Sequence, residues 1–271
     1  MGPIRVTAKR GTVVEGIHRV HVASSESLLH GDDVTLLLRS AVKPLQAIPF
    51  AEAYDDLGDD ELAIACASHQ AEPPQLDAVR KVLARARATV DDLENGPQAG
   101  RPDGKLGHNC SGKHAGMLAA CAANGWPFAG YRFLEHPLQV RVHELVGAPE
   151  AAVDGCGLPT YAMSLLEAAR LLLRTPPRIA AAMRARPDLV GGRGSDDTVL
   201  MEARPGWLAK RGAEGLLCAV SPDGVGYAFK VEDGNGRALR PAIGAVLGID
   251  ELATVSLENS LGEPVGVLRA E

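Results

Sequence analysis

Ser40 and Lys43 stand three residues apart in Arg39-Ser40-Ala41-Val42-Lys43-Pro44, a spacing that brings two side chains together across one turn of a helix. Pro44 marks where that helix starts, because proline lacks the N–H that an interior residue donates and is tolerated only in the first turn. Ser40 is therefore expected at or just before that turn. Its hydroxyl would lie at the positive end of the helix dipole, among unpaired backbone N–H groups able to stabilise an oxyanion. A hydroxyl alone is a poor nucleophile, and Lys43 is close enough to take its proton once the ammonium is neutral. From an ordinary pKa of ~10.4, that requires a fall of roughly three units, about 4 kcal/mol. A serine cap beside a solvated lysine is the plainer reading of the same residues.

Two further stretches carry reactive groups. Lys210-Arg211-Gly212-Ala213-Glu214-Gly215 reads as a lysine ending a strand, and Ser68 falls in a loop that Pro73-Pro74 closes. A Ser-x-x-Lys helix start and a lysine–glycine strand edge line one pocket in penicillin-binding proteins and serine β-lactamases. A strand-end lysine is otherwise an edge charge. Lysine is scarce, seven against twenty-one arginines, and lysine can lose its proton where arginine cannot. In Asn109-Cys110-Ser111-Gly112-Lys113-His114, with Cys156 beyond, the thiols are either small buried apolar groups or part of a metal site. No pair of Cys-x-x-Cys motifs decides between them.

The elements that must position these groups follow from local patterning. Apolar runs at Ile4 and Val6, Val13-Val14, 17–22 and 34–38, separated by turn residues, predict a meander of two or three strands. A helix follows Ser40 to about residue 54, with a kink or break at Pro49. Helices are expected over 61–67, 75–89 and from the Cys110 motif to about 123, where Asn124-Gly125 closes the last. Others are expected over 137–146, 161–174 and 177–186, followed by a loop at 191–196. Runs at 207–210, 216–220 and 225–231 predict strands, and a helix over 241–247 precedes a polar tail. The class is α/β (α+β): an antiparallel sheet uniting both ends of the chain, flanked by helices, with an inserted helical lobe. We expect one domain, with a sheet lobe over about 1–58 and 200–271, a helical lobe over about 59–199, and a cleft between them.

A chain of 271 residues that is 46% hydrophobic and 23% charged has the composition of a globular protein. A net charge of −6 without a basic cluster, and 4% aromatics, argue against nucleic acid and anionic membranes as partners. No apolar run suits a membrane span and no signal-peptide h-region is seen. Five cysteines, an odd number, predict reduced thiols in a cytoplasm.

Several motifs occur in order: Arg39 to Gln46, Cys66-Ala67-Ser68-His69 with Glu72, Asn109 to Leu118, Asp154-Gly155-Cys156-Gly157-Leu158-Pro159, Lys210 to Gly215, and Lys230-Val231-Glu232-Asp233-Gly234-Asn235-Gly236-Arg237-Ala238. With these, the chain from about residue 14 to 239 resembles the rhizobial-type L-asparaginases, the asparaginase II family. The resemblance implies a serine β-lactamase- and glutaminase-like fold and a homodimer. It also implies hydrolysis of L-asparagine to L-aspartate and ammonia, with a glutaminase side activity. By motif it assigns catalytic pairs to Ser40 with Lys43 and Ser68 with Lys210, and zinc ligands to Cys110, Lys113 and Cys156. It makes Arg39, His69, Glu72, Asn109, His114 and Asp154 the substrate-binding set. Zinc then organises substrate, since the serines already supply a nucleophile. The chain departs from the family's usual pattern twice: Ala71 stands where glycine is usual, and Glu94-Asn95-Gly96-Pro97-Gln98 replaces a Cys-Gly-x-His stretch. Both bear on pocket shape and substrate preference. A penicillin-recognising hydrolase and a non-catalytic protein that binds zinc and an amino acid share parts of the same pattern.

Overall fold

A computed structural model describes residues 1–271, residues 150 and 151 by their backbone alone. Strands β1 (Ile4–Arg10), β2 (Val13–Ser24) and β3 (Leu28–His30) form the expected antiparallel meander. Strand β4 (Thr35–Leu37) leaves it. A 3-10 turn (Arg39–Val42), α1 (Lys43–Gln46) and α2 (Ile48–Ala53) follow. The break expected at Pro49 is present, and Pro44 and Pro49 each occupy the first turn of their own helix.

Helix α3 (Asp59–Ala65) starts on three acidic residues and α4 (Pro73–Ala86) on two prolines, while Gly125 in the left-handed conformation ends α5 (Ser111–Asn124). Next come α6 (Pro137–Val146), β5 (Glu150–Val153), β6 (Pro159–Ser164), α7 (Leu165–Leu171), α8 (Pro177–Ala185), α9 (Pro187–Val190) and α10 (Asp196–Ala203). The chain returns through β7 (Leu208–Arg211), β8 (Leu216–Val220) and β9 (Gly226–Val231). It continues through α11 (Leu239–Leu247), α12 (Asp250–Ala253), β10 (Thr254–Glu258) and β11 (Pro264–Ala270).

Three stretches differ from the expectation. Residues 159–164 are strand, since β6 pairs with both β4 and β5, and the helix begins only where Ser164 caps it. Residues 196–203 are helix, with Asp196 and Asp197 in the first turn. The polar tail is the β10–β11 hairpin, an edge pair with only Leu268 fully buried, so its apolar content is low.

The main sheet is antiparallel in the order β10-β11-β1-β2-β9-β8-β7, with β3 on β2, and a smaller sheet has the order β4-β6-β5. Its strands come from both ends of the chain, as expected of one uniting sheet. Helix α7 packs on β2, β8 and β9, and α11 runs along β1, β9, β10 and β11. Helices α3, α4 and α5 pack on one another. Among the described residues, no helix is long and apolar enough to cross a membrane.

Close approach of α5 to α3 fixes the start of the Cys110 helix. A Cβ at Gly112 would sit 2.2 Å from the carbonyl oxygen of Ile64, so only glycine fits. Gly112→Ala should therefore lose about 1–3 kcal/mol or more through overpacking, read as a lower urea midpoint with unchanged slope. A midpoint equal to wild type would show that the contact is not tight.

Candidate active site

Five pieces of chain converge on one region. The turn into α1 brings Arg39, Ser40 and Lys43, and the loop after α3 brings Ser68. The start of α5 brings Asn109, Cys110 and Lys113, the β5–β6 turn brings Asp154 and Cys156, and β7 brings Lys210.

Ser68, 3% exposed, holds the centre. Its Oγ lies 3.0 Å from Lys43 Nζ and 3.1 Å from Lys210 Nζ, and both lysines are fully buried. Lys43 also donates to the carbonyl of Ala67, and Lys210 to that of Arg211 at 3.0 Å. Burial pushes both amines down. Lys210 falls to about 8, with Lys43 and Arg211 adding to the fall and Asp197 opposing it. Asp197, itself fully buried, forms an ion pair with Lys210 at 3.1 Å. Burial would raise its carboxyl, yet Lys210, Arg211 and the Ser195 hydroxyl hold it at about 2.

A pocket of about 270 Å³ opens beside this cluster, walled by Arg39, Ser40, Asn109, Cys110, Asp154 and Cys156 among others. Ser40 carries the only hydroxyl on that wall, and among the described residues it has no hydrogen-bond partner. It is not hydrogen-bonded to Lys43, whose amine turns inward to Ser68 where the 3-10 turn gives way to α1. Arg39 is held at φ 46, and its guanidinium pairs with the Asp154 carboxylate.

Cys110, Lys113 and Cys156 also come together. Lys113 Nζ lies 3.1 Å from Cys156 Sγ, and the two thiols are hydrogen-bonded to each other. The Cys156 hydrogen bond, with Lys43 and Lys113 nearby, pushes the Cys110 thiol well below its ordinary range, while Cys156 is raised. Burial would lower Lys113, but Cys156, Cys110 and Asp154 outweigh it and raise the amine. Among the described residues, no three His, Cys, Asp or Glu side chains gather as a metal site; the third member of this set is an amine.

The other residues singled out in the sequence lie elsewhere. His69 is fully buried: its Nδ1 accepts from Ala71 N at 3.1 Å, so the proton sits on Nε2, 2.8 Å from Ser111 Oγ. Ala71 adopts φ 63, a strain of roughly 1–2 kcal/mol for a residue with a Cβ. His114 is buried against the Tyr131 hydroxyl at 2.6 Å. Glu72 is half-buried at the start of α4, off the pocket wall. The departing 94–98 stretch contributes Gln98, which borders the pocket and accepts from Asn109 N at 3.0 Å. His108 is a further wall residue that the sequence did not single out. Asp197 was also missed, and its only sequence signal was the cap-like Ser195-Asp196-Asp197 run.

The model of a protein family described as L-asparaginase II matches residues 6–265. No curated protein matches the chain. The chain belongs to the L-asparaginase II family, which makes it an asparaginase-type amidohydrolase.

Burial pushes His69 from an ordinary 6.5 down to about 3. Between those values the unfolded chain holds the extra proton, so stability rises with pH across the window and is lost as pH falls. Its contribution should be about 1.4 kcal/mol per pH unit below 6.5, read from urea unfolding at pH 7 and pH 5. His69→Gln should remove that part of the slope; an unchanged slope would mean that His69 is not neutral in the native state.

Proposed function

We propose that this member of the L-asparaginase II family hydrolyses the side-chain amide of L-asparagine to L-aspartate and ammonia, using Ser40 with Lys43 and Ser68 with Lys210. The observation that carries this reading is Ser68, one hydroxyl within hydrogen-bond distance of two buried lysine amines. It lies behind a pocket whose wall presents a second, unpartnered serine. On the same wall the Arg39 guanidinium and the Asp154 carboxylate suit the α-carboxylate and α-ammonium of an amino acid.

Ser40 Oγ attacks the amide carbon while the neutral amine of Lys43 takes its proton. Collapse of the tetrahedral adduct breaks the C–N bond, and Ser68, resupplied by Lys210, gives the departing ammonia a proton. Water then attacks the Ser40 ester, its proton returning along the same groups, and aspartate leaves with Ser40 restored.

Cys110, Lys113 and Cys156 are the residues that would hold zinc. Two sulfurs and a nitrogen in contact are a donor set that zinc takes. A dication replacing the protons on Cys156 and Lys113 would leave the net charge of this buried group unchanged. Bound there, zinc supplies Lewis-acid orientation of the substrate's polar groups. The same reading carries a single domain with a serine β-lactamase-like arrangement of lobes, a homodimer and a cytoplasmic setting. Five free, buried cysteines support the last.

Ammonia release from asparagine, glutamine and nitrocefin controls is the test. Turnover of asparagine is expected, whereas nitrocefin hydrolysis without ammonia would indicate a penicillin-type enzyme. Zinc and amino-acid binding without turnover would indicate a sensor. Ser40→Ala and Ser68→Ala should each lower kcat by about two orders of magnitude or more, and the double variant should lose little beyond either. Near-normal kcat in Ser40→Ala would remove Ser40 as nucleophile. For the metal, Lys113→Arg keeps the charge but cannot coordinate, so zinc content should fall with circular dichroism unchanged. Equal zinc in both proteins would show that Lys113 is not a ligand.

A further inference from the structure

Asp197 is the only carboxylate hydrogen-bonded to either lysine of Ser68 among the described residues, and nothing in the sequence motifs assigns it. Its surroundings fix its charge. Oδ1 accepts from Ser195 Oγ at 2.6 Å and Thr198 N at 3.1 Å. Oδ2 accepts from Lys210 Nζ at 3.1 Å and Arg211 N at 3.2 Å. Four donors fill the four lone-pair sites of a carboxylate, and none of them is an acceptor for a carboxyl proton in this arrangement. Asp197 is thus an anion, fully buried, and a buried anion requires a paired cation.

Lys210 meets that requirement stereochemically. Its amine contacts three acceptors, Asp197 Oδ2, Arg211 O and Ser68 Oγ, one for each proton of an ammonium. Ser68 Oγ therefore receives a hydrogen bond from Lys210, and its own proton is free to point at the other amine 3.0 Å away.

We infer that Asp197 is a positioning residue that holds Lys210 as the ammonium donor to Ser68, and so sets the direction in which protons move through the serine–lysine chain. This rests on the Ser68 relay proposed above. Asp197 itself touches no reacting atom. The charged and titratable groups facing Lys210 are Asp197 from α10, Lys43 from α1, Arg211 beside it on β7, Cys66 after α3 and Cys218 on β8. Asp197 is the only one of the five that favours a proton on Lys210 while itself fully charged; Cys66 and Cys218 are both pushed up to about 12 and stay neutral thiols.

The test is the pH dependence of kcat/KM for ammonia release from asparagine. Wild type should lose activity as pH rises through about 8, where Lys210 gives up its proton. In Asp197→Asn the descending limb should move down by about 1–3 pH units, the usual effect of one adjacent opposite charge. Asp197→Glu should return it toward wild type. Ser195→Ala, which leaves the carboxylate one donor short and strengthens its pull on Lys210, should move the limb up. That variant keeps the question open to test should the asparagine variant not fold. The α-ammonium of the substrate titrates identically in every variant and drops out of the comparison. A uniform loss of activity with every limb unmoved would overturn the inference and leave Asp197 a structural residue. Wild-type activity in Ser68→Ala across the pH range would instead overturn the relay itself.

Discussion

Two lysines are buried on one serine hydroxyl, and the surrounding protein is arranged to make that tolerable. An ammonium out of water is stable only when paired, and two of them a few ångströms apart repel. The one carboxylate pairs directly with one of the two amines, Lys210, while burial lowers both. Helix α10 brings that carboxylate, β7 brings the paired lysine, and α1 turns the other inward from its own segment. In the neighbouring Cys110–Cys156–Lys113 group one thiol is lowered, the other is raised, and the amine is raised by the sulfurs beside it. In both clusters a buried amine lies against a group that can carry the opposite charge.

The loop bearing Ser68 owes its position to backbone ties. Ser68 N donates to Val190 O at 2.8 Å, His69 N to Asn109 O at 3.2 Å, and Arg101 to His69 O at 2.6 Å. His69 adds its ring, clamped between Ala71 N and Ser111. The left-handed Ala71 is the local cost of that clamp. Strain at a non-glycine residue persists only where its surroundings over-determine the backbone, and here Val190, Asn109, Arg101 and Ser111 fix the Ser68-His69 segment to which Ala71 N is bonded. Wall residues and supporting residues thus alternate along the same motifs: Asn109 and Cys110 face the pocket, while Ser111 and Gly112 serve packing.

Much of this was legible in the residue order. Proline at helix starts, Asn124-Gly125 at a helix end and alternating apolar runs at both ends are local signals, and the elements they predict are present. The pairing of Ser68 with Lys210 was implied by the resemblance to the asparaginase II family, and the two side chains do meet. Illegible parts depend on distant partners. Residues 159–164 are strand only because β4 and β5 flank them, and 254–270 pair only because β1 offers an edge. Asp197 lies just past the loop expected over 191–196, and nothing local shows that it points inward to a lysine on another element. The Ser40–Lys43 hydrogen bond expected from i, i+3 spacing is not made, because Lys43 is engaged by Ser68 Oγ and the carbonyl of Ala67 instead.

The strand order also has a consequence in time. Strand β1 lies between β2 and β11, with Val6 opposite Ala270, and Ser68 meets Lys210 across 142 residues of chain. A nascent polypeptide can wind α3, α4 and α5 against one another early, since those contacts are local. The sheet must wait for β7 to β11 to emerge, and long-range antiparallel pairing is the slow class of folding event. Until then β1 presents an open edge and the lysine–serine cluster lacks both its second lysine and its carboxylate. The cluster is completed by β7 at one end of the sheet and the β1 edge is covered by β11 at the other, so the free edge outlasts the synthesis of every residue of the cluster.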